Sequence, residues 1–148
     1  MPWKTKELPD LLDVNVWVAL SAIHHTQHNA AAAYWAARAS RQVVMCRTTS
    51  LGLVRILSQP KAFGKYALSP ADAWSVYENW LRSPYLIVEP EPHGIDSLLG
   101  AWSIQGLTTS RNWTDAYLAA FARSGNHRLV SFDADFSRFA GLDFLQLA

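Results

Sequence analysis

The sequence contains very little cysteine, since Cys46 is the only one among 148 residues. A single cysteine excludes an internal disulfide. It ends the apolar run Val43-Val44-Met45-Cys46, and no cationic cluster nearby would stabilise a thiolate. We therefore expect Cys46 to be a small core residue rather than a reactive thiol.

The chain also lacks a long hydrophobic run. No segment approaches the ~18 to 20 apolar residues that a membrane-spanning helix requires, and residues 1–7 lack the apolar stretch of a signal peptide. We therefore expect a cytoplasmic protein with no membrane partner. Half of the residues are hydrophobic and 17% are charged, which at this length predicts one compact domain over residues 1–148.

Neither sign of charge is in excess, because the formal net charge is +1. Bulk electrostatics therefore neither require nor exclude a nucleic acid, and any site for a polyanion must be local. The sequence lacks a phosphate-binding glycine loop and the Gly-x-Ser-x-Gly motif of serine hydrolases. The basic residues that could border a local site, or lie on ordinary solvated surface, are Arg38, Arg41, Arg47, Lys61 and Lys65.

Short apolar runs alternate with segments of helical periodicity, which predicts an α/β domain built from βαβ units around a mostly parallel sheet. The predicted strands are 8–12, 43–46, 85–88, 128–131 and 143–145. The predicted helices are about 26–39, 49–57, 70–81, 95–102 and 112–124. The apolar spacing in these helices includes Trp74, Leu81 and Trp113. It predicts faces packed on the sheet, so we expect most tryptophans to be core residues rather than platforms for stacking bases.

Three aspartates occupy related places in this pattern. Asp13 follows the first strand, Asp133 follows strand 128–131, and Asp115 lies in the first turn of the helix near Asn112. The carboxyl ends of parallel strands meet at one edge of a sheet, where ligands bind. Carboxylates gathered there repel one another, and a hard cation such as Mg²⁺ or Mn²⁺ relieves that repulsion. Such an ion can polarise a phosphate and activate water.

Taken singly, each aspartate has a structural explanation. Asp13 could cap a turn, Asp115 could favour the helix dipole, and Asp133 could open an Asx turn before Asp135. Their shared edge, with Asn15 two residues after Asp13, favours a metal site instead.

A second possible metal set consists of three histidines that are close in sequence. No further ligand accompanies them, so zinc binding or general-base chemistry is the weaker interpretation. We expect a loop and a helix start at His24, His25 and His28.

The segments that carry the acids resemble the PIN domain, the nuclease fold of the VapC toxins of bacterial and archaeal toxin-antitoxin pairs. Residues 11–17 resemble its opening strand, residues 113–120 its third-acid helix, and residues 129–136 the strand and turn that carry its last acid. The blocks occur in the family's order and at its usual spacing, and the resemblance covers nearly the whole chain.

The resemblance implies a three-layer α/β/α fold with a mostly parallel, about five-stranded central sheet. It implies an RNA endonuclease that uses Mg²⁺ or Mn²⁺, with Asp13, Asp115 and Asp133 as catalytic and metal-binding residues. Asn15 would be a supporting polar group and Asp135 a peripheral one. A homodimer is also implied, as is inhibition by a small VapB-like antitoxin whose tail enters the acidic groove.

One position departs from the family's pattern. Many members carry a glutamate where this sequence has Ser50, and none of its neighbours is acidic. Ser50 would then act in support, through water, and three acids favour one firmly held cation over two. The missing glutamate leaves a catalytically degenerate binding module of the same fold as an alternative. A receiver-like or phosphatase domain ranks last, because no convincing lysine or threonine follows a later strand.

Overall fold

The computed structural model describes residues 7–148, and within them a five-stranded sheet has the order β3-β2-β1-β4-β5. All neighbouring strands are parallel, which confirms the predicted fold class. The strands are β1 (Asp10–Leu12), β2 (Val43–Met45), β3 (Leu86–Val88), β4 (Arg128–Ser131) and β5 (Phe144–Gln146). Each lies within two residues of a predicted strand.

Helices connect and cover the strands. They are α1 (Val14–Ser21), α2 (His28–Ala37), α3 (Arg47–Leu57), α4 (Pro60–Phe63), α5 (Pro70–Leu81), α6 (Ile95–Ile104) and α7 (Trp113–Gly125). Short 3₁₀ turns occupy Gly64–Tyr66 and Ala134–Arg138. None of the helices in the described range is long and apolar enough to cross a membrane.

Some helix boundaries differ from the predicted ones. The helix expected from residue 26 begins at His28, and the helix expected from residue 49 already begins at Arg47. Ser69 caps α5, and its Oγ accepts a hydrogen bond from the N–H of Asp72 at 3.1 Å. Asn126 adopts a left-handed φ of 56° after the last residue of α7, so an asparagine ends this helix.

Helix α1 was not predicted. Its β-branched residues Val14, Val16 and Val18 have low helix propensity, so the local pattern does not indicate a helix. The N-cap at Asp13 and the burial of Trp17 overcome that preference. Packing against the sheet therefore decides the conformation of this segment.

The core lies on both faces of the sheet, because successive strand residues point in opposite directions. On β1, Leu11 packs toward α6 and α7, whereas Leu12 packs toward α1, α2, α3 and α5. On β4, Leu129 and Val130 divide between the two faces in the same way. The resulting three layers agree with the predicted architecture.

The predictions of burial are correct at some apolar positions and wrong at others. Cys46 and Trp102 are buried as expected. Trp74, Leu81 and Trp113 are 43%, 42% and 52% exposed, which contradicts the prediction that they pack on the sheet. Helical spacing identifies one side of a helix, but it does not show how far along the helix the sheet covers that side.

Candidate active site

Asp13 follows β1 directly and caps the amino end of α1. Its Oδ1 accepts a hydrogen bond from the backbone N–H of Val14 at 2.7 Å, as N-cap aspartates commonly do. Its Oδ2 accepts a second bond from Ser131 Oγ at 2.8 Å. The residue is 9% exposed. Uncharged donors therefore hold both oxygens of a nearly buried carboxylate.

Ser131 is the last residue of β4 and links the two neighbouring strands that carry acids. Besides donating to Asp13, its Oγ accepts from the backbone N–H of Asp133 at 3.0 Å and from Asn15 Nδ2 at 3.2 Å. The residue is fully buried. Asn15 thus contacts the site through Ser131. Ser131 was not among the residues predicted for the site, although a hydroxyl in an apolar strand, two residues before an acid, was a usable signal.

Asp133 and Asp135 lie in the turn after β4. Asp133 Oδ1 accepts a hydrogen bond from the N–H of Asp135 at 2.9 Å, which is the Asx turn considered for this segment. Asp133 is half-buried and Asp135 is exposed. Asp133 therefore lies nearer the interior of the site, and Asp135 lies at its rim.

Asp115 completes the group from the first turn of α7, where it is half-buried. Its pKa is raised to about 6, and burial is the largest cause. The next causes are the negative charges of Asp13, Asp133 and Asp135, in that order, whereas Arg138 lowers the pKa. The fold thus brings together the acids predicted from three separate segments. We call Asp13, Asp115, Asp133 and Asp135 the acidic cluster.

Among residues 7–148, no cationic side chain forms an ion pair with the acidic cluster. The ion pairs of residues 7–148 involve Glu7, Asp10 and Glu89 as acids, and none involves the cluster. Burial raises the pKa of Asp13, the hydrogen bonds from Ser131 and Val14 lower it, and the charge of Asp133 raises it. The site therefore holds neighbouring carboxylates whose repulsion Arg138 relieves only in part.

The donors of the cluster fit a hard divalent cation. Within residues 7–148, no three His, Cys, Asp or Glu side chains are close enough to hold a metal ion by themselves. Mg²⁺ usually takes only one or two carboxylates and completes its shell with water and phosphate oxygens. Carboxylate oxygens that repel one another at the mouth of a sheet edge suit that mode of binding.

Ser50 lies in the first turn of α3 and is buried. Its Oγ donates to the carbonyl oxygen of Arg47 at 3.0 Å and accepts from Arg47 Nη1 at 3.3 Å. Within the described chain, the side-chain hydrogen bonds of Ser50 thus stay within its own helix. Its predicted supporting role remains a prediction.

Two of the basic residues considered for the groove serve elsewhere. The Arg38 guanidinium stacks over Trp35 at 3.6 Å, and Arg41 pairs with Asp10 at 3.3 Å at the amino end of β1. Arg47 is exposed and follows the carboxyl end of β2, so it alone of these three lies near the acidic edge.

The histidines agree with the structural interpretation. His28 begins α2 and its Nδ1 lies 2.7 Å from the carbonyl oxygen of Ala19. His25 Nδ1 accepts from the N–H of Gln27 at 3.0 Å. Local backbone contacts therefore account for both rings.

Comparison with known proteins identifies the family of this chain. The PIN domain family matches residues 11–142. Ribonuclease VapC41 of Mycobacterium tuberculosis is 32% identical over 143 residues, which cover 93% of this chain and 98% of that protein. Ribonuclease VapC29 of the same organism is 31% identical over 134 residues, which cover 88% and 90%.

Solved structures share the fold at lower sequence identity. VapBC2 from Rickettsia felis, bound to a DNA fragment from its promoter, superposes with a TM-score of 0.71 at 15% identity, covering 95% of this chain and 100% of that chain. VapC20 of Mycobacterium tuberculosis, a sarcin-ricin loop cleaving toxin, gives 0.68 at 18% identity and covers 90% and 97%. The matched range includes every member of the acidic cluster. This chain belongs to the PIN domain family and, within it, to the VapC group.

Proposed function

We propose that this chain is a metal-dependent RNA endonuclease, the toxin of a toxin-antitoxin pair, in which a single PIN domain over residues 1–148 hydrolyses phosphodiester bonds. The observation that carries the proposal is the acidic cluster, whose carboxylates converge at the carboxyl edge of the sheet and form no ion pair with any side chain of residues 7–148. A structural ion-pair network would contain its own cations. A site whose carboxylates are not ion-paired is suited to a cation and a phosphate from outside.

Asp13, Asp115 and Asp133 would hold a Mg²⁺ or Mn²⁺ ion together with water molecules, since no three side chains of residues 7–148 suffice by themselves. The ion would supply polarisation of the scissile phosphate and activation of water. Val14 and Ser131 fix Asp13 through neutral hydrogen bonds and leave its charge available. Asn15 steadies Ser131, and thereby the spacing between Asp13 and Asp133. Asp135 at the rim adds negative charge that favours the cation.

The partners follow from the relatives. The relatives include the ribonucleases VapC41 and VapC29, and two of the similar folds were solved as VapBC complexes with DNA. We propose RNA in the cytoplasm as the substrate and a VapB-like antitoxin as the inhibitor. We also propose a homodimer, which light scattering of the purified chain at several concentrations tests by its mass.

A second candidate is a binding module of the same fold that has lost turnover. Ser50, at the place of the family's usual glutamate, uses its hydroxyl within its own helix turn. That arrangement adds no acid to the cluster. The two candidates therefore differ in whether the remaining acids are sufficient for cleavage.

The deciding experiment is cleavage of total RNA by purified, antitoxin-free protein with Mg²⁺ or Mn²⁺, beside an EDTA control. Asp13→Asn is the sharpest variant, because the carbonyl oxygen of asparagine can still cap α1 while the variant loses the charge and the second acceptor oxygen, which faces Ser131. We expect it and Asp115→Asn to lose cleavage by at least about 100-fold, or ~2.7 kcal/mol in the barrier.

The controls separate a lost site from a lost fold. Asp96→Asn changes an exposed aspartate in the first turn of α6 and should cleave as the wild type does. Metal-dependent cleavage that persists in Asp13→Asn would rule out the proposed site. Folded wild-type protein that cleaves nothing with either metal would establish the binding module instead.

A further inference from the structure

The arginines of this protein have two kinds of surroundings. Arg41 and Arg128 form ion pairs with Asp10 at the amino edge of the sheet. Arg138 differs from them, because it is exposed and forms no ion pair with any acid of residues 7–148. It nevertheless lies in the turn that follows β4, next to the acidic cluster. An arginine in this place is available to an anionic ligand.

The position of Arg138 follows from the 3₁₀ turn Ala134–Arg138, which begins directly after Asp133. A 3₁₀ helix has three residues per turn, so side chains three positions apart lie on the same side of it. Asp135 and Arg138 are related in this way, with about 6 Å between them along the axis. Electrostatics agree, because Arg138 is the positive charge that lowers the pKa of Asp115. Its guanidinium therefore lies at the rim of the acidic cluster, on the side of Asp135.

Two buried phenylalanines hold this turn in place. Phe136 and Phe139, which precede and follow Arg138, are 1% and 3% exposed, and the N–H of Phe139 donates to the carbonyl oxygen of Phe136 at 3.2 Å. The ring centroid of Phe136 lies 5.8 Å from that of Phe144, and the centroid of Phe139 lies 4.8 Å from that of Trp102. The backbone of Arg138 is thus fixed beside the cluster, which lowers the entropy lost when its side chain binds an anion.

The acids of the cluster leave one need of phosphodiester cleavage unmet. Two-metal sites use a second cation to stabilise the charge of the reacting phosphate. Here the place of the family's usual glutamate is occupied by Ser50, whose hydroxyl is used within its own helix, and the remaining acids favour one cation. A second positive group near the phosphate then has to be a side chain. A guanidinium suits this need, because it is always charged and its paired N–H groups bind two phosphate oxygens at once.

We propose that Arg138 binds the phosphate to be cleaved and stabilises the negative charge that develops on its non-bridging oxygens, as a second metal ion does in sites with one more acid. In this hydrolysis the oxygen of a water molecule bonds to phosphorus, the bond from phosphorus to one ribose oxygen breaks, and a proton of the water ends on that leaving oxygen. Arg138 stays protonated throughout. The inference rests on the proposed nuclease function and adds a catalytic residue to it.

The first test measures RNA cleavage at saturating Mg²⁺. Arg138→Gln should lower kcat by about 100-fold with a much smaller change in KM, as the loss of one transition-state donor does. Arg138→Lys keeps the charge without the paired N–H groups, and it should lose about tenfold. Arg82→Gln is the matched control, because this exposed arginine binds Asn79 at 2.6 Å and precedes the amino end of β3, at the opposite edge of the sheet. It should cleave as the wild type does.

Three further measurements separate a contact with phosphate from an effect through the acids. Guanidinium chloride at a concentration that does not denature the protein should restore cleavage to Arg138→Ala but not to Asp115→Asn. Mg²⁺ binding to the RNA-free protein, measured by calorimetry, should be unchanged or slightly tighter in Arg138→Gln, because a positive charge near the ion is removed. For labelled single-stranded RNA bound to an Asp133→Asn protein, Arg138→Gln should reduce the slope of log affinity against log salt by about 0.7, the value of one phosphate contact.

The outcomes distinguish this inference from the proposed function. If wild-type protein cleaves RNA and Arg138→Gln has the same kcat, the inference alone fails. A loss confined to KM, or a kcat that returns to the wild-type value at higher Mg²⁺, would also overturn it, because Arg138 would then act on binding or through the acids. A loss that accompanies a lower melting temperature and that guanidinium does not restore would show a structural role instead. If wild-type protein cleaves nothing with either metal, the proposed function fails and the inference fails with it.

Discussion

Asp10 and Asp13 lie three positions apart at opposite ends of β1, and their surroundings are opposite. Asp10 is fully buried, and both of its carboxylate oxygens bind the Arg128 guanidinium at 2.8 and 2.9 Å. Arg41 approaches it at 3.3 Å, and the Tyr34 hydroxyl donates to it as well. Asp13 is almost as buried, yet its partners are uncharged, and its nearest charged neighbours are other acids.

The comparison shows that burial of an aspartate does not itself mark a functional site. At Asp10 the charge is matched by two arginines inside the chain, so that this end of the strand is complete and contributes to the fold. At Asp13 the charge is left unmatched, and more negative charge is added to it from two further elements. An excess of one sign of charge in a half-buried position is the feature that points to a ligand from outside.

The largest change in stability should come from replacing Asp10, at the ion-paired end of β1. Asp10→Asn keeps the shape of the side chain but leaves Arg128 and Arg41 without their carboxylate. Losing one partner of a buried ion pair costs about 3 to 5 kcal/mol. We expect about 3 kcal/mol here, at the lower end of that range, because the arginine side chains are 23% and 16% exposed.

Urea unfolding measures this loss directly, and Asp96→Asn again serves as the control on the surface. RNA cleavage by the Asp10 variant, measured well below its melting temperature, should remain close to that of the wild type. A loss of stability below about 1 kcal/mol would show that Asp10 and Asp13 do not differ as described.

The roles of the residues at the two ends of β1 could not be predicted equally well from the sequence. Asp13, Asp115 and Asp133 could be predicted because each is local to a strand end or a helix start, and parallel strands place such positions at one edge. The importance of Asp10 depends on Tyr34 and Arg128, which are distant in sequence and meet it only in the folded chain. Local patterns do not contain that information.

The same limit explains the errors at α1 and Trp113. Residues 14–18 contain β-branched side chains, and the burial of Trp17 against other helices makes the segment helical. The spacing of Trp113 matches that of the buried Ala116 and Ala120, but the indole lies at the helix end, beyond the covering sheet. One sequence predicts which side of a helix is apolar. How far along the helix the sheet covers that side depends on tertiary packing.

A smaller change in stability, of opposite sign, is expected from replacing Asp115 in the acidic cluster. The pKa of Asp115 is raised from 3.8 to about 6 in the folded chain. Between about pH 4 and pH 6 the folded state therefore binds more protons than the unfolded state, and metal-free stability falls as the pH rises. Above pH 6 the whole penalty is present. The shift corresponds to about 3 kcal/mol, which screening of this partly exposed group reduces to about 1 to 2 kcal/mol.

Asp115→Asn removes that penalty along with the activity. In EDTA at pH 7.5 the variant should be about 1 to 2 kcal/mol more stable than the wild type, and near pH 4 the two should be equal. Added Mg²⁺ should then raise the melting temperature of the wild type by more than that of the variant. A variant less stable than the wild type at pH 7.5 would mean that the cluster is not in electrostatic conflict.

The smallest change in stability should come from replacing Ser131, an uncharged residue that links Asp13, Asp133 and Asn15 by hydrogen bonds. Ser131→Ala removes a hydroxyl that donates to Asp13 and accepts from Asp133 N–H and Asn15. Loss of this buried hydroxyl should lower the free energy of unfolding by about 1 kcal/mol, against a change within about 0.5 kcal/mol for Ser137→Ala at an exposed position.

The bond from Ser131 lowers the pKa of Asp13, so its removal raises that pKa further. Because protons then compete better with the metal, half-maximal cleavage should require more Mg²⁺ at pH 6 than in the wild type. If Ser131→Ala instead destabilised the chain as much as Asp10→Asn does, the neutral hydrogen bonds at this end would be as strong as the ion pairs at the other, and the two ends of β1 would differ in charge but not in their contribution to the fold.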